Sequence, residues 1–387
     1  MISPKLPNIN FDNKTNNTTD DLKNYFTNQG YTTTETSLIE ESDIFTRKSG
    51  VKLSSKLYSF IDPGGQRVSL RPEFTTSIIK IFLNEYTNND LPLKFQYYGP
   101  VFGYNPSQNK GLEQRTQIGI ELLGQNGVEI DTDILAMAIK SLKLIKIDNI
   151  EITIGNLEFL NNLLSFFDLS NPAKNLVLNN IQLIQSKKLT TKALINKAEK
   201  LGILNQNINK YKNNHPKNNP LDFSAIILKE NLNSSMGQRS SDDIIDRLYN
   251  KNNFSDDLET LKNVINLIKS LSSIKGKSEK ALNETRKILN KNSLPEKLLL
   301  PLEQISDSIE KSIGPNTNIQ IAPTHIRGLE YYTGLIFDIN YRKDSELIHL
   351  GGGGRYDELV QVLGGTDKIP ALGFAFSIEN IQIVLNN

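Results

Sequence analysis

Apolar residues recur along the chain at helical and at strand periods, in blocks that change character twice. Thr18-Thr19-Asp20-Asp21 supplies an N-cap and an acidic first turn for a helix that places Leu22, Tyr25 and Phe26 on one side and ends at Gly30. Lys56-Leu57-Tyr58-Ser59-Phe60-Ile61, the turn Asp62-Pro63-Gly64-Gly65 and Gln66 to Leu70 predict a hairpin. From 156 to 312 the chain is Lys/Asn-rich and helical in period. Ser255-Asp256-Asp257 caps a run with Leu258, Leu261, Val264, Ile265, Ile268 and Leu271 on one face, and Ser278-Glu279 opens a helix with Ala281, Leu282 and Ile288. Lys210 to Pro220 reads as a loop in which His215 is solvated. Strand character returns at Ile319 to Ile321, Gly334 to Ile339 and Ile348 to Leu350, and a last helix covers Ile378 to Leu385. Strands at both ends with helices between them predict an α+β protein. Residues 1–155 and 313–387 make one core, and 156–312 form an α-helical insertion.

Composition narrows the chemistry. The 387 residues contain no cysteine, which excludes disulfides, thiolate catalysis and Cys-ligated metals. The three histidines, His215, His325 and His349, lie far apart in sequence, so no metal site is expected. Lys+Arg 44 against Asp+Glu 43 gives a net charge of +1, too little for a broad phosphate-binding surface. Nucleic acid is therefore not an expected partner, although a small anion site remains possible. No apolar run approaches the roughly 20 residues of a bilayer span. The start Met1-Ile2-Ser3-Pro4-Lys5 lacks the pattern of a secretory signal, so a cytoplasmic protein without a membrane partner is expected.

Four segments stand apart from this background: Leu70-Arg71-Pro72-Glu73-Phe74-Thr75; Tyr98-Gly99-Pro100-Val101-Phe102 with Gln117-Ile118-Gly119-Ile120-Glu121; Arg327-Gly328-Leu329-Glu330-Tyr331-Tyr332-Thr333-Gly334; and Gly352-Gly353-Gly354-Arg355-Tyr356-Asp357 with Pro370-Ala371-Leu372-Gly373-Phe374. Strand alternation puts Gln117, Gly119 and Glu121 on one face, where an amide and a carboxylate with room between them suit an ammonium group. Glu73 and Thr75 alternate likewise and offer further acceptors. Arg327 can hold a carboxylate, and the phenols of Tyr331 and Tyr332 can line a pocket. The same residues would also suit a polar strand edge, an exposed turn and a core tyrosine pair. The four-glycine run Gly351 to Gly354 reads as close backbone approach and not as a phosphate cradle, because no Lys-Ser/Thr follows it.

In order and spacing these segments resemble the catalytic domain of histidyl-tRNA synthetase, a class II synthetase, over roughly residues 20 to 155 and 315 to 387. The resemblance implies an antiparallel sheet with flanking helices and a helical insertion. It also implies that Glu73, Thr75, Gln117, Glu121, Arg327, Tyr331 and Tyr332 line a histidine pocket. The nucleotide half departs from the family. Gly103 stands where the motif 2 arginine binds the α-phosphate, Asn105 where a glutamate reads adenine, Arg115 where an aromatic packs on it, and Asn380 where the motif 3 arginine lies over the nucleotide. Ser37 and Ser377 replace the usual motif 1 proline and motif 3 glycine. One preorganised donor at a charged transition state is worth roughly 10² to 10³ in rate, so adenylation is expected to be absent unless Arg115 or Arg355 substitutes. Only Ile381 to Asn387 follow motif 3, so no C-terminal anticodon-binding domain is expected.

This combination resembles the regulatory subunit family of ATP phosphoribosyltransferase. That resemblance implies no catalytic residues, cofactor or metal of its own, histidine as ligand, self-dimers, and a hetero-oligomer with the short-form catalytic subunit at the first step of histidine biosynthesis. In it, histidine would act by feedback through its differential affinity for two states. The alternative is a histidyl-tRNA synthetase-like adenylate-forming ligase working without an anticodon-binding domain.

Overall fold

A computed structural model describes residues 13–47, 56–105, 111–204, 256–313, 317–328, 331–344 and 346–386. The chain divides into two compact units, Met1–Leu160 with Ile274–Asn387, and Asn161–Ser273.

The first unit is built on an eight-stranded sheet. Its strands in chain order are β1 (Thr32–Thr33), β5 (Leu93–Asn105), β6 (Gly111–Leu123), β7 (Ile150–Asn156), β8 (Asn318–Ile321), β9 (Leu335–Lys343), β10 (Glu346–Arg355) and β11 (Ala371–Ser377). Their spatial order is β1-β5-β6-β11-β10-β9-β7-β8. The central pairs are antiparallel, as expected, while the edge pairs β1/β5 and β7/β8 are parallel, so the sheet is mixed. The expected hairpin forms β3 (Ser59–Ile61) and β4 (Arg67–Leu70), with Gly65 N donating to Asp62 O at 2.9 Å; β2 (Ile39–Glu41) joins it to make a three-stranded sheet.

Alternation along the strands sorts side chains onto two faces. One face carries Ile118, Ile120, Leu122, Leu372, Phe374, Ile152, Phe337 and Ile339. It is covered by α1 (Asn13–Asn28), α3 (Val128–Leu144), the helix Leu300–Ile313 and the C-terminal helix Ile378–Leu385, through Leu22, Phe26, Ile134, Leu135, Ile305, Ile309 and Ile381 among others. The opposite face carries Phe95, Tyr97, Leu123, Ile336 and Ala371, and packs on α2 (Thr75–Glu85) through Ile78, Ile79 and Phe82. Helix α1 begins before the expected cap, so Asp20 and Asp21 fall in its third turn. Burial of Leu22 and Phe26, both 0% exposed, fixes the helix and overrides the weak local preference of the Thr-Thr-Asp-Asp stretch.

The second unit is helical. Segments Asn171–Leu178, Ile181–Gln185, Thr191–Lys200 and Leu258–Ser272 bury Leu176, Val177, Ile184, Leu194, Ala198, Leu261, Ile265, Ile268 and Leu271. Asp257 caps the last of them, accepting from Thr260 N at 2.7 Å, as its sequence predicts. The helical stretch assigned from sequence to 156–312 is longer than this unit. Helices Ser278–Lys291 and Leu300–Ile313 belong to the first unit, where Ile305 and Ile309 join the core beneath α3. A 3.6-residue stripe announces a buried face but not which core it meets. The loop around His215 and its neighbours lies outside the described residues. Among the described residues, no helix is long and apolar enough to cross a membrane.

Candidate functional site

Glu121 stands at the centre of the face opposite α1 and α3. It lies on β6, across from Phe95 of β5 and Gly373 of β11, and is 1% exposed. Gly373 makes this possible, because a Cβ there would collide with the Glu121 carboxylate. Thr75 Oγ1 donates to Glu121 Oε1 at 2.6 Å, Tyr97 OH donates to the same oxygen at 3.2 Å, and Tyr356 OH donates to Oε2. Glu73 is also buried. It precedes α2, where both carboxylate oxygens accept from Thr76 N at 3.2 Å, a helix N-terminus that favours an anion. Glu73 and Thr75 therefore converge from the start of a helix and not from an alternating strand, since Thr75 is the first residue of α2.

Neither carboxylate is paired with a basic side chain among the described residues. Burial raises the Glu121 carboxyl, and the field of Glu73 adds to that against its three hydroxyl donors, pushing it up to about 8. Glu73 is raised too, again by burial, against its bonds to Thr76 and Thr75. Two desolvated carboxylates with hydroxyl donors and no cation form a site prepared for a positively charged ligand group.

Tyr331 and Tyr332, 4% and 7% exposed, close over this cluster. Tyr331 packs edge-on to Tyr356 with centroids 5.7 Å apart, and Tyr97 stacks on Phe74 at 4.3 Å. Arg327 lies beyond Tyr332 in its own electrostatic nest. It donates to Asp338, and to Phe337 O at 3.2 Å. Gly352 is required here, since a Cβ would meet the Arg327 guanidinium. His325 Nε2 sits 3.0 Å from Asp338 Oδ2, off the line of a hydrogen bond, and His349 Nε2 sits 3.9 Å from Oδ1. Although burial alone would raise it, Asp338 is brought down to about 2 by His325 and by the Arg327 and His349 charges. Two of the three histidines, distant in sequence, thus share one carboxylate; even so, no group of three or more His, Cys, Asp or Glu that could hold a metal occurs among the described residues. Gln117 is half-buried on the same strand face as Glu121, about 13 Å along β6 by strand rise, paired with Gly99 and Ser377. It does not touch the carboxylates. Leu329 and Glu330 lie outside the described residues.

Of the positions that depart from the synthetase pattern, Gly103, Asn105 and Arg115 lie on β5 and β6 beyond Gln117, and Asn380 lies in the first turn of the C-terminal helix. Gly103 pairs with Glu113, and Asn105 closes β5 opposite Gly111. Asn380 Nδ2 donates to His349 O at 2.7 Å. Arg115 is exposed on β6, and its charge contributes to lowering the His349 imidazole, after burial and Arg327. Arg355 is not available to substitute for a lost guanidinium. It is buried behind the cluster, donating to Asp131 at 2.8 Å, to Asp357 at 3.0 Å and to Gln125 O at 3.2 Å. The four-glycine run is a strand interior, as expected: a Cβ at Gly351, Gly352, Gly353 or Gly354 would strike neighbouring backbone or the Arg327 guanidinium.

Tyr97 and Tyr356 were not singled out from sequence as site residues. Both stand in or beside the quoted motifs, but only the sheet register brings their hydroxyls to Glu121. Gly373→Ala is expected to displace the Glu121 carboxylate, lowering stability by about 1–3 kcal/mol and weakening amine binding together; thermal melting and calorimetry measure the two effects.

A family model described as Histidyl-tRNA synthetase matches residues 11–218 and 197–381. The histidine--tRNA ligase of Methanococcus vannielii is 29% identical over 365 residues, covering 94% of this chain and 70% of the relative. The ATP phosphoribosyltransferase regulatory subunit of Halothermothrix orenii is 28% identical over 368 residues, covering 95% and 71%. The crystal structure of an ATP phosphoribosyltransferase regulatory subunit/histidyl-tRNA synthetase from Bacillus halodurans superposes with a TM-score of 0.64 at 20% identity, covering 97% of this chain and 79% of that one, which establishes the shared fold. With both names represented at almost the same identity, the activity has to be read from the residues at the site. The chain belongs to the histidyl-tRNA synthetase family, with the class II α+β fold of that family.

Proposed function

We propose that this chain is a regulatory subunit of ATP phosphoribosyltransferase that binds histidine and does not adenylate it. The observation that carries the reading is an asymmetry between the amine-binding and the nucleotide-binding positions. The Glu121 cluster keeps two uncompensated buried carboxylates under a lid of tyrosines, while Gly103 and Asn380 stand where the resemblance to the synthetases implies nucleotide-binding arginines. In this reading the ammonium of histidine meets Glu121 and Glu73 beside Thr75, the phenols of Tyr331 and Tyr332 enclose the imidazole, and Arg327 addresses the carboxylate end; Gln117, expected with Glu121 at the ammonium, stands four residues along β6 from it. Adenylation needs cationic groups where negative charge concentrates on phosphorus, each worth roughly 3–4 kcal/mol. Two missing guanidiniums and a missing adenine stack remove most of that stabilisation.

The partner in this reading is a short-form catalytic subunit, joined in a hetero-oligomer built on self-dimers. Histidine then acts by linkage: it shifts the assembly by the ratio of its affinities for two states, typically 1–3 kcal/mol. Reconstitution tests this. Phosphoribosyl transfer to ATP and its inhibition by histidine are expected only when both chains are present; a catalytic subunit unaffected by this chain, with or without histidine, contradicts it.

The competing reading is a histidyl-adenylate ligase. The ligase-named relatives favour it, with Arg115, whose charge is felt at His349, serving as the phosphate clamp.

A further inference from the structure

Asn126-Gly127 is the one Asn-Gly pair in the sequence. It lies between β6 and α3, where the chain leaves the sheet, and its asparagine is exposed. Gly127 precedes the first turn of α3 at φ +116°, a backbone that glycine adopts without steric cost. With no Cβ on Gly127, its nitrogen is uncrowded.

The Gly127 N–H meets no backbone carbonyl among the described residues; it donates to the side chain of Asn126, at 2.9 Å from Oδ1. That bond folds the amide back over the following peptide and brings Cγ alongside the Gly127 nitrogen. A nucleophile and an electrophile held in contact react faster than the same two groups on a freely rotating chain. Asn292-Ser293, at the end of the helix Ser278–Lys291, shows the opposite arrangement. Asn292 Nδ2 is drawn away to Ile288 O at 2.8 Å, and Ser293 N donates to Asn290 O at 3.0 Å, so both groups are engaged elsewhere.

We propose that Asn126 is a modification site, where the folded chain deamidates itself and forms isoaspartate. Gly127 N gives its proton to water and attacks Asn126 Cγ. The N–Cγ bond forms, the Cγ–Nδ2 bond breaks, and Nδ2 takes a proton from solvent and leaves as ammonia. Water then opens the cyclic imide. Cleavage of its N–Cγ bond leaves aspartate, while cleavage of its bond from N to the backbone carbonyl carbon leaves isoaspartate, with the chain running through Cβ and Cγ. The isoaspartyl product carries one extra backbone carbon inside the loop that holds Arg355, which donates to Gln125 O at 3.2 Å on one side of the pair and to Asp131 at 2.8 Å on the other. The loop thereby loosens its hold on a buried guanidinium. This chemistry needs no ligand and is independent of the function proposed above.

Peptide mass spectrometry on the full chain, incubated folded at mildly alkaline pH, tests it beside a sample unfolded in urea. The peptide carrying Asn126 is expected to gain the mass of an amide-to-acid exchange, faster as pH rises, about tenfold faster than at Asn292, and no more slowly folded than unfolded. The aged peptide is expected to accept a methyl group from an isoaspartyl methyltransferase. Asn126→Gln, at an exposed position, is expected to keep the parent's melting temperature and to show neither change there. The isoaspartyl fraction, separated by ion exchange, is expected to melt below the parent. An Asn126 peptide that keeps its mass, gains it only in the unfolded chain, or gains it without a methyl-accepting product would overturn the proposal, and an isoaspartyl fraction that melts with the parent would overturn its effect on Arg355.

Discussion

Glu121→Gln is expected to abolish histidine binding while leaving the fold intact. Glutamine matches the shape of glutamate, so the Thr75 and Tyr97 hydroxyls keep an acceptor in the amide oxygen, the Tyr356 hydroxyl turns to accept from the amide NH2, and Gly373 keeps its clearance. What is lost is the negative charge that meets the ligand's ammonium in a site shut off from water. Removing one partner of such a desolvated pair costs about 3–4 kcal/mol, or roughly 10²–10³ in Kd. The stability readout separates this from misfolding. Glu121 has a folded pKa raised to about 8 from an ordinary value of 4.5, so between those two values the folded chain holds a proton that the unfolded chain releases. Its contribution therefore favours the fold at low pH and is withdrawn as pH rises toward 8, at a cost of several kcal/mol. A neutral glutamine has no such dependence, and the variant is expected to melt higher than the parent at pH 8 and above. Calorimetry and melting together check this: loss of binding accompanied by a lowered melting temperature at every pH would assign Glu121 to structure alone.

The second large effect is on the pH dependence of the ligand. In the empty site Glu121 holds its proton below about pH 8. Binding an ammonium requires that proton to leave, so histidine affinity is expected to fall as pH drops below 8, approaching tenfold per unit. The ligand's imidazole stays mostly neutral above about pH 6.8, so the window from there to 8 isolates the carboxyl, with a fall of about tenfold across it. About one proton is expected to be released per histidine bound at pH 7, read from the dependence of the calorimetric heat on the ionisation enthalpy of the buffer. The Glu121→Gln variant should show neither effect. An affinity flat across this window in the parent would mean that the carboxyl is already ionised in the empty site.

Much of this geometry is legible in the chain. The alternation Gln117-Gly119-Glu121 places the carboxylate on one face of a strand, the turn at Asp62 to Gly65 fixes the hairpin, and the glycine run reads correctly as close backbone approach. What local pattern does not carry is convergence. Tyr356 reaches Glu121 across 235 residues and Arg355 reaches Asp131 across 224, contacts set by the pairing of β6, β11 and β10 and not by any local period. Arg355, legible as a spare guanidinium, is committed to Asp131 and Asp357, while His325 and His349, read as isolated, meet at Asp338. The limit of the helical insertion was hidden for the same reason: Ile305 and Ile309 show a helical stripe in sequence, but the core it faces is assembled from strands that come before and after it.

The proposed pairing of a kept amine site with a dismantled nucleotide site is tested most directly by histidine-dependent exchange of pyrophosphate into ATP, run beside a histidine titration on the same preparation. The expected result is saturable histidine binding with exchange no greater than in the absence of enzyme. Exchange at the rate of an active synthetase, lost when Arg115 is replaced by Ala, would contradict it and establish the ligase reading instead.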